Sequence, residues 1–104
     1  METTIEKTPA GARVGGEMTI FTAAALKSDL LGLPHEPIGV FELDLSEITD
    51  FDTAGMQLLL MLKRRIQKCA GTLRIVACSG AVRNALELCR QTDLIADTAG
   101  EPTP

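Results

Sequence analysis

The chain has no tryptophan, no tyrosine, three phenylalanines and one histidine among its 104 residues. Its core must therefore be built from aliphatic side chains, which a hydrophobic content of 45 % allows. The lone histidine, His35, lies between two prolines and completes no Ser-His-Asp or Cys-His catalytic set. Cys69, Cys78 and Cys89 are widely spaced without a C-x-x-C pair, so we expect buried, inert thiols rather than disulfides or a metal site.

Motifs for nucleotide cofactors are also missing, since the chain contains neither G-x-G-x-x-G nor G-x-x-x-x-G-K-[ST]. Asp50 and Asp52 are close enough for acid/base work, but they lie in a predicted polar turn with no hydrophobic pocket to raise either pKa. We therefore expect no enzymatic activity and no cofactor. The longest uncharged apolar run, 54–62, is too short to cross a bilayer, and the N-terminus lacks a signal-peptide pattern, so we expect a cytoplasmic protein without membrane insertion.

Basic charge is scarce, with 10 Lys and Arg against 14 Asp and Glu, which disfavours nucleic acid as a partner. The two signs are also segregated along the chain. Residues 28–62 hold seven acids and no base, whereas residues 63–90 hold seven bases and one acid. This segregation is typical either of a polarised surface that steers a charged protein partner or of ordinary solvated faces.

Hydrophobic spacing predicts alternating strands and helices. Residues 3–8 and 13–21 are predicted strands around a turn at Pro9, and Thr22 is predicted to cap a helix that ends near Gly32. A strand is predicted from residue 40, followed by a short polar turn and a helix from Thr53 that Gly71 ends. A strand over 72–77, a helix capped by Ser79 and a short last strand over 94–96 follow.

These patterns predict inward-facing side chains on each element. The predicted core residues are Phe41, Leu43 and Leu45 on one strand, and Ala23, Leu26, Leu30, Leu33, Leu59, Leu62, Ile66, Cys69, Val82, Ala85, Leu86 and Cys89 on the helices. Met56 and Leu60 are predicted on the flank of their helix, partly exposed. The alternation predicts a single α/β domain over 1–97, with a mixed sheet of four to five strands, three to four helices and a flexible tail over 98–104.

The most informative segment is 51–55, where Thr53 opens a leucine-rich helix. The first N–H groups of a helix lack internal partners and carry partial positive charge, so an anion is stabilised there. Thr53 is therefore well placed to carry a phosphate. The same residues have a second interpretation, in which Asp52 or Thr53 does no more than cap the helix.

Three segments resemble the STAS domain family of bacterial anti-sigma factor antagonists. Residues 16–27 are similar to its G-E-[LMI]-D strand end and T-A-x-x-L-K helix start, with Thr19 in place of the aspartate. Residues 43–55 resemble its L-D-L-S and D-[ST]-[STA]-G signature, and residues 79–88 its S-P-A-V-R-x-x-L-x-L helix. The resemblance extends over residues 3–97 and implies the STAS fold.

It also implies partner switching, in which an anti-sigma factor or histidine-kinase-like serine/threonine kinase phosphorylates the antagonist and a phosphatase resets it. Carried over by position, the phosphoacceptor is Thr53. The implied partner-binding residues are Thr19, Ile20, Phe21, Asp52, Ala54, Gly55 and Met56. Control of a sigma factor and a chemotaxis-associated role both fit this resemblance. The alternative is an accessory subunit, similar to the STAS component of a phospholipid-transport complex, that contacts an ABC transporter ATPase.

Overall fold

A β-hairpin begins the fold in the computed structural model, which describes residues 3–32 and 39–90. Strand β1 (Thr4–Thr8) pairs antiparallel with β2 (Gly11–Met18). The predicted strands are confirmed, although β2 ends at Met18 rather than at residue 21. The chain leaves the sheet there because the Thr19 carbonyl accepts hydrogen bonds from the N–H groups of Thr22 and Ala23, at 3.0 and 2.8 Å, which closes a turn over residues 19–22.

Helix α1 (Ala23–Leu31) follows this turn, and its Leu26 and Leu30 are buried as predicted. Thr22 occupies the N-cap position, but the expected mechanism of capping is wrong. Its hydroxyl bonds to none of the helix N–H groups and instead donates to the carbonyl of Glu17 at 3.0 Å. Predictions for Leu33, the loop after it and the elements beyond residue 90 lie outside the described residues.

The sheet is mixed and has the order β1-β2-β3-β4. Strands β3 (Val40–Phe51) and β4 (Thr72–Cys78) run parallel to β2. The short polar turn predicted to hold Asp50 and Asp52 is wrong, because β3 continues through Asp50 to Phe51 and Asp52 is the N-cap of the next helix. Arg13 pairs with Asp44 but Gly15 pairs with Glu47, so β3 holds one extra residue here, a β-bulge that lets it continue along β2.

Helix α2 (Thr53–Lys68) packs on the sheet and along α1. Leu59, Leu62 and Ile66 are fully buried, as the spacing predicts. The prediction for Met56 is wrong, since this side chain is only 4 % exposed. Helix α2 contacts two other helices as well as the sheet, so its buried stripe is wider than contact with a sheet alone requires. Leu60 is partly buried as expected.

The end of α2 lies at Lys68, and the residue in the left-handed conformation after it is Ala70, with φ of 63°, rather than a glycine. The N–H of Gly71 then donates to the Ile66 carbonyl at 2.9 Å, which satisfies one of the last carbonyls of the helix. Helix α3 (Gly80–Leu88) begins as predicted, with the Ser79 hydroxyl accepting from the N–H of Val82.

Cys69, Cys78 and Cys89 form no disulfide and are not uniformly buried. Cys69 and Cys78 are half-buried, and burial raises the pKa of the Cys78 thiol. Cys89 is exposed, so the prediction that it lies on the inner face of α3 is wrong. The helix ends one residue earlier, at Leu88, so that Cys89 turns away from the sheet as the C-cap.

The buried side chains of the strands share the face that the helices cover, and the opposite face carries charge. Arg13 on this face lies 3.4 Å from Asp44 and 3.7 Å from Glu6 across neighbouring strands. Within residues 3–32 and 39–90, the four-stranded mixed sheet and three helices agree with the predicted α/β architecture. Within the described ranges, none of the helices has the length and apolarity needed to cross a membrane.

Candidate functional site

Asp52 caps α2 and is the central polar residue of the candidate site. Its backbone is extended, and its Oδ1 accepts hydrogen bonds from the N–H groups of Ala54 and Gly55, at 2.9 and 3.2 Å. Two of the first N–H groups of the helix are thereby satisfied, and the carboxylate charge lies at the positive end of the helix dipole. The capping interpretation of the sequence is therefore correct for Asp52.

The second carboxylate oxygen of Asp52 reaches the turn that follows β2. Its Oδ2 accepts a hydrogen bond from the N–H of Ile20 at 3.0 Å, while the Asp52 N–H donates to the Met18 carbonyl at 3.3 Å. One residue thus joins the end of β2, the turn over residues 19–22 and the start of α2.

Thr53 is the first residue of α2, and its side chain is exposed. Asp52 has already taken the capping role, and the Thr53 hydroxyl makes no hydrogen bond to the part of the chain that the structure describes. A hydroxyl in this position is accessible to an enzyme from solvent. Its role as a phosphoacceptor remains a prediction.

The turn over residues 19–22 holds two apolar side chains out in solvent. Ile20 is 70 % exposed and Phe21 is 90 % exposed. Thr19 is buried beneath them, and its Oγ1 accepts from the N–H of Phe21 at 3.3 Å. The Thr22 hydroxyl accepts from the N–H of Thr19 at 3.1 Å, so both ends of the turn are fixed.

Gly55 lets the end of β2 approach the first turn of α2. A Cβ added to Gly55 would lie 2.3 Å from the Met18 carbonyl oxygen and 2.9 Å from a ring carbon of Phe51. This contact is possible only without a side chain. Gly55 and Met56 are both buried, so they support the site from behind and leave little surface for a partner to contact.

The structure therefore divides the seven residues predicted to bind a partner. Four offer surface at one end of the domain, namely Ile20, Phe21, Asp52 and Ala54, and three are buried beneath it, namely Thr19, Gly55 and Met56. No measurement of binding tests the set, which stays a prediction. What the fold does establish is that the seven positions, distant in sequence, belong to one continuous region.

Sequence reasoning left three further residues of this region out of the predicted partner-binding set, namely Glu17, Asp50 and Phe51. They line a cavity of about 310 Å³ together with Thr19, Phe21 and Asp52. The missing signal was the parallel pairing of β2 with β3, which places Glu17 opposite Asp50. Carboxyl ends of parallel strands meet at one edge of a sheet, so the pairing brings these two acids together. No Lys or Arg is among the described residues that line the cavity, and no metal-binding group of three His, Cys, Asp or Glu occurs in the described ranges.

Comparison with known proteins identifies the family. A family model described as "Mlab, STAS domain" matches residues 2–96. The crystal structure of an anti-sigma factor antagonist from Mycobacterium paratuberculosis is 24 % identical, with a TM-score of 0.68 over 91 % of this chain and 82 % of that one. The anti-sigma factor antagonist SpoIIAA in its unphosphorylated form is 14 % identical, with a TM-score of 0.71 over 90 % of this chain and 85 % of that one. No curated protein matches the chain significantly. The family match covers nearly all of the sequence, and the chain therefore belongs to the STAS domain family.

Proposed function

We propose that this protein is a cytoplasmic, non-enzymatic regulator of the anti-sigma factor antagonist kind, which changes partners when Thr53 is phosphorylated. The observation that carries the proposal is the exposed Thr53 hydroxyl, which Asp52 leaves unused in capping. Its position beside the exposed Ile20 and Phe21 supports the same function, because a modification there would lie within a docking surface. The likeness in fold to two anti-sigma factor antagonists agrees with it.

The partners in this scheme are an anti-sigma factor or a histidine-kinase-like serine/threonine kinase, and a phosphatase. The kinase transfers the γ-phosphoryl group of ATP to Oγ1 of Thr53, with loss of the hydroxyl proton and release of ADP. The phosphatase cleaves the new P–O bond with water and releases inorganic phosphate. The unphosphorylated chain binds the anti-sigma factor, and the phosphorylated chain is released.

Phosphorylation should change the complex far more than the domain. A phosphate adds about −1.5 to −2 charge at Thr53. The helix dipole stabilises it by roughly 0.3–1 kcal/mol, and the Asp52 carboxylate, which already accepts from the first N–H groups, opposes it. The two effects nearly cancel, so we expect the fold to stay rigid.

A partner that covers Thr53 faces a different balance. It has to accommodate the volume of the phosphate and to remove water from a dianion that lies beside Asp52. A loss of about 4 kcal/mol is reasonable for such desolvation and corresponds to roughly a thousandfold in affinity.

The test is a phosphorylation assay with the cognate kinase and ATP, followed by location of the phosphate by mass spectrometry. We expect label on Thr53 and none in Thr53→Ala, while Thr49→Ala, which removes another exposed threonine hydroxyl of the same end, is labelled normally. Kinase with ATP should release the partner from the wild type and not from Thr53→Ala. If both proteins respond alike, partner switching at Thr53 is wrong.

A second candidate function is an accessory subunit that contacts an ABC transporter ATPase in phospholipid transport. It is favoured by one observation, the name Mlab in the description of the matching family model. Co-purification with such an ATPase, with Thr53 unmodified in the cell, would support this candidate. Kinase-dependent label on Thr53 would support the first.

A further inference from the structure

We propose that Phe21, together with Ile20, is the apolar anchor of the complex, and that the partner presents a hydrophobic recess rimmed by lysine and arginine. The inference rests on the proposed function, because it takes the occupant of this end of the domain to be a protein. It adds the chemistry by which that protein is recognised.

The exposure of Phe21 is the first step. A phenylalanine that is 90 % exposed, next to an isoleucine that is 70 % exposed, places a large apolar area in water. Leu88, at the end of α3, is similarly exposed, at 85 %, but no second exposed large apolar residue adjoins it in the described part of the sequence. Aromatic side chains that insert into a partner's pocket contribute most of the binding energy in many interfaces, and Phe21 has the size and position of such a side chain.

The rigidity of the turn is the second step. Ile20 is held through its N–H by Asp52, and Phe21 through its N–H by the Thr19 hydroxyl. The Thr19 carbonyl in turn accepts from the N–H groups of Thr22, the N-cap of α1, and of Ala23, its first residue. A preorganised anchor loses little conformational entropy on binding, so more of its apolar contact appears as affinity.

The charge around Phe21 identifies the partner. One cavity beside its ring, of about 310 Å³, is lined by Glu17, Asp50 and Asp52, and a second, of about 380 Å³, is lined by Asp29. The described lining of both cavities contains four carboxylates and no Lys or Arg. An anionic lipid surface or a nucleic acid would be repelled, whereas a protein with a basic rim is complementary.

The basic side chains of α2 lie away from this end. The nearest of them, Lys63, follows Thr53 by ten residues, which places it about 15 Å further along the helix axis. Lys27, a nearer base, lines the groove between α1 and α2, on the side of Ala54. The carboxylates that line the two cavities therefore lie on the Phe21 side of Thr53, and a cationic partner would be attracted to that side.

A basic rim has a kinetic consequence for the switch. Phosphate at Thr53 has the same sign as the surrounding carboxylates, so it should not slow the encounter with a cationic partner. Release must then come from the bulk and the desolvation of the phosphate within the formed complex. We expect the phosphorylated chain to associate within about twofold of the unmodified rate and to dissociate much faster.

The experiment uses the full chain and the protein that it captures from cells of its origin, once that protein has been identified and purified. Association and dissociation rates are measured by surface plasmon resonance at 50 and 500 mM NaCl. We expect Phe21→Ala to weaken binding about thirtyfold and Leu88→Ala, a control of similar exposure, to stay within twofold. The double variant Glu17→Gln, Asp50→Asn should slow association about tenfold at low salt and little at high salt. The control, Glu6→Gln with Glu87→Gln, neutralises two other acids and should leave the association rate unchanged at both salt concentrations.

Three results would overturn the anchor. The first is that Phe21→Ala binds within twofold of wild type and captures the same proteins. The second is that association becomes faster after Glu17 and Asp50 are neutralised. The third is that the chain associates with itself and Phe21→Ala abolishes this, which would make the occupant a second copy. Failure of the proposed function is distinguishable. If binding depends on Phe21 but Thr53 is never phosphorylated, only the phosphorylation switch is refuted. If Thr53 is phosphorylated but binding does not depend on Phe21, only the anchor is refuted.

Discussion

The Asp52 carboxylate accepts a hydrogen bond from the Ile20 N–H at 3.0 Å, although the two residues lie 32 positions apart in the chain. Its other oxygen caps α2 through the N–H groups of Ala54 and Gly55. One side chain thus fixes both the exposed turn and the start of the helix that carries Thr53. Two roles in one residue can be separated by substitution.

Asp52→Asn should keep the hydrogen bonds that cap α2 and lose the hydrogen bond to the Ile20 N–H in the turn. The amide oxygen of asparagine can accept from Ala54 and Gly55, but its NH2 group cannot accept from Ile20. We expect amide hydrogen exchange at Ile20 to speed up markedly while the first turn of α2 stays protected, as measured by NMR. Asp52→Ala should lose both and lower the free energy of unfolding in urea by about 1–3 kcal/mol. Unchanged exchange at Ile20 in Asp52→Asn would contradict the bond.

Gly55→Ala should destabilise the domain, against the usual trend for glycine in helices. Alanine in place of glycine normally stabilises a helix by up to about 1 kcal/mol. Here the new Cβ meets the Met18 carbonyl oxygen at 2.3 Å, and backbone must move. We expect a loss of about 1–3 kcal/mol in urea unfolding. The control is Gly80→Ala, whose Cβ meets no atom within 4 Å and which should be neutral or stabilising; equal effects at both positions would refute the contact.

Ala70→Gly should stabilise the domain. Ala70 has φ of 63°, a left-handed conformation that costs an L-residue roughly 1 kcal/mol and costs glycine almost nothing. We expect a gain of about 0.5–1 kcal/mol, offset in part by the greater freedom of glycine in the unfolded chain. Ala24→Gly, in an exposed position of α1, provides the opposite case and should cost about 1 kcal/mol. Thermal denaturation of both variants checks the sign of each change.

Asp44 should contribute stability that disappears in acid. Desolvation raises its pKa, but hydrogen bonds from the Ser46 hydroxyl and N–H, with the charge of Arg13, together hold the pKa of Asp44 below its usual 3.8. A carboxyl with a lowered pKa in the folded state stabilises above its unfolded pKa, and this stability is lost as the pH falls through the folded pKa. Asp44→Asn should therefore lower the free energy of unfolding at pH 7 and approach the wild type below about pH 4.

Ser46→Ala tests the cause of that shift. It removes the 2.7 Å hydrogen bond from the Ser46 hydroxyl to Asp44. In a double-mutant cycle, Asp44→Asn should therefore lower the free energy of unfolding less in the Ser46→Ala background than in the wild type. If the free energies of unfolding of the wild type and Asp44→Asn differ by the same amount from pH 7 to pH 3, the charge of Asp44 is not what stabilises the fold.

Regular patterns in the sequence predicted regular structure well. Alternation at Phe41, Leu43 and Leu45 predicted the buried face of β3, and helical spacing predicted the stripe of α2. The second half of β3 was missed because the bulge near Ser46 changes the alternation, so that Leu45 and Ile48 are both buried although they lie three positions apart. A prediction that requires buried and exposed residues to alternate strictly along a strand therefore ends the strand at the bulge.

The candidate site was predicted in part for a similar reason. The sequence places a hydroxyl at the mouth of α2 and cannot say which of Asp52 and Thr53 caps the helix, because both residue types do so. Glu17 and Asp50 were not recognised as neighbours, since only the parallel register of β2 and β3 puts them side by side. Burial of Met56 likewise depends on how the sheet and the other helices pack around α2, which short segments of sequence do not reveal.

Local sequence alone determined the α/β class, the helix that starts at Thr53 and the family, because period, capping residues and motifs are properties of short segments. Tertiary structure decided that Asp52 joins two distant segments, that Thr53 stays free, and that Phe21 projects from an acidic edge. These are relations between strands and helices that meet only after the sheet has formed. Their physical basis is the parallel pairing of β2 with β3, which places the ends of both strands at the mouth of α2.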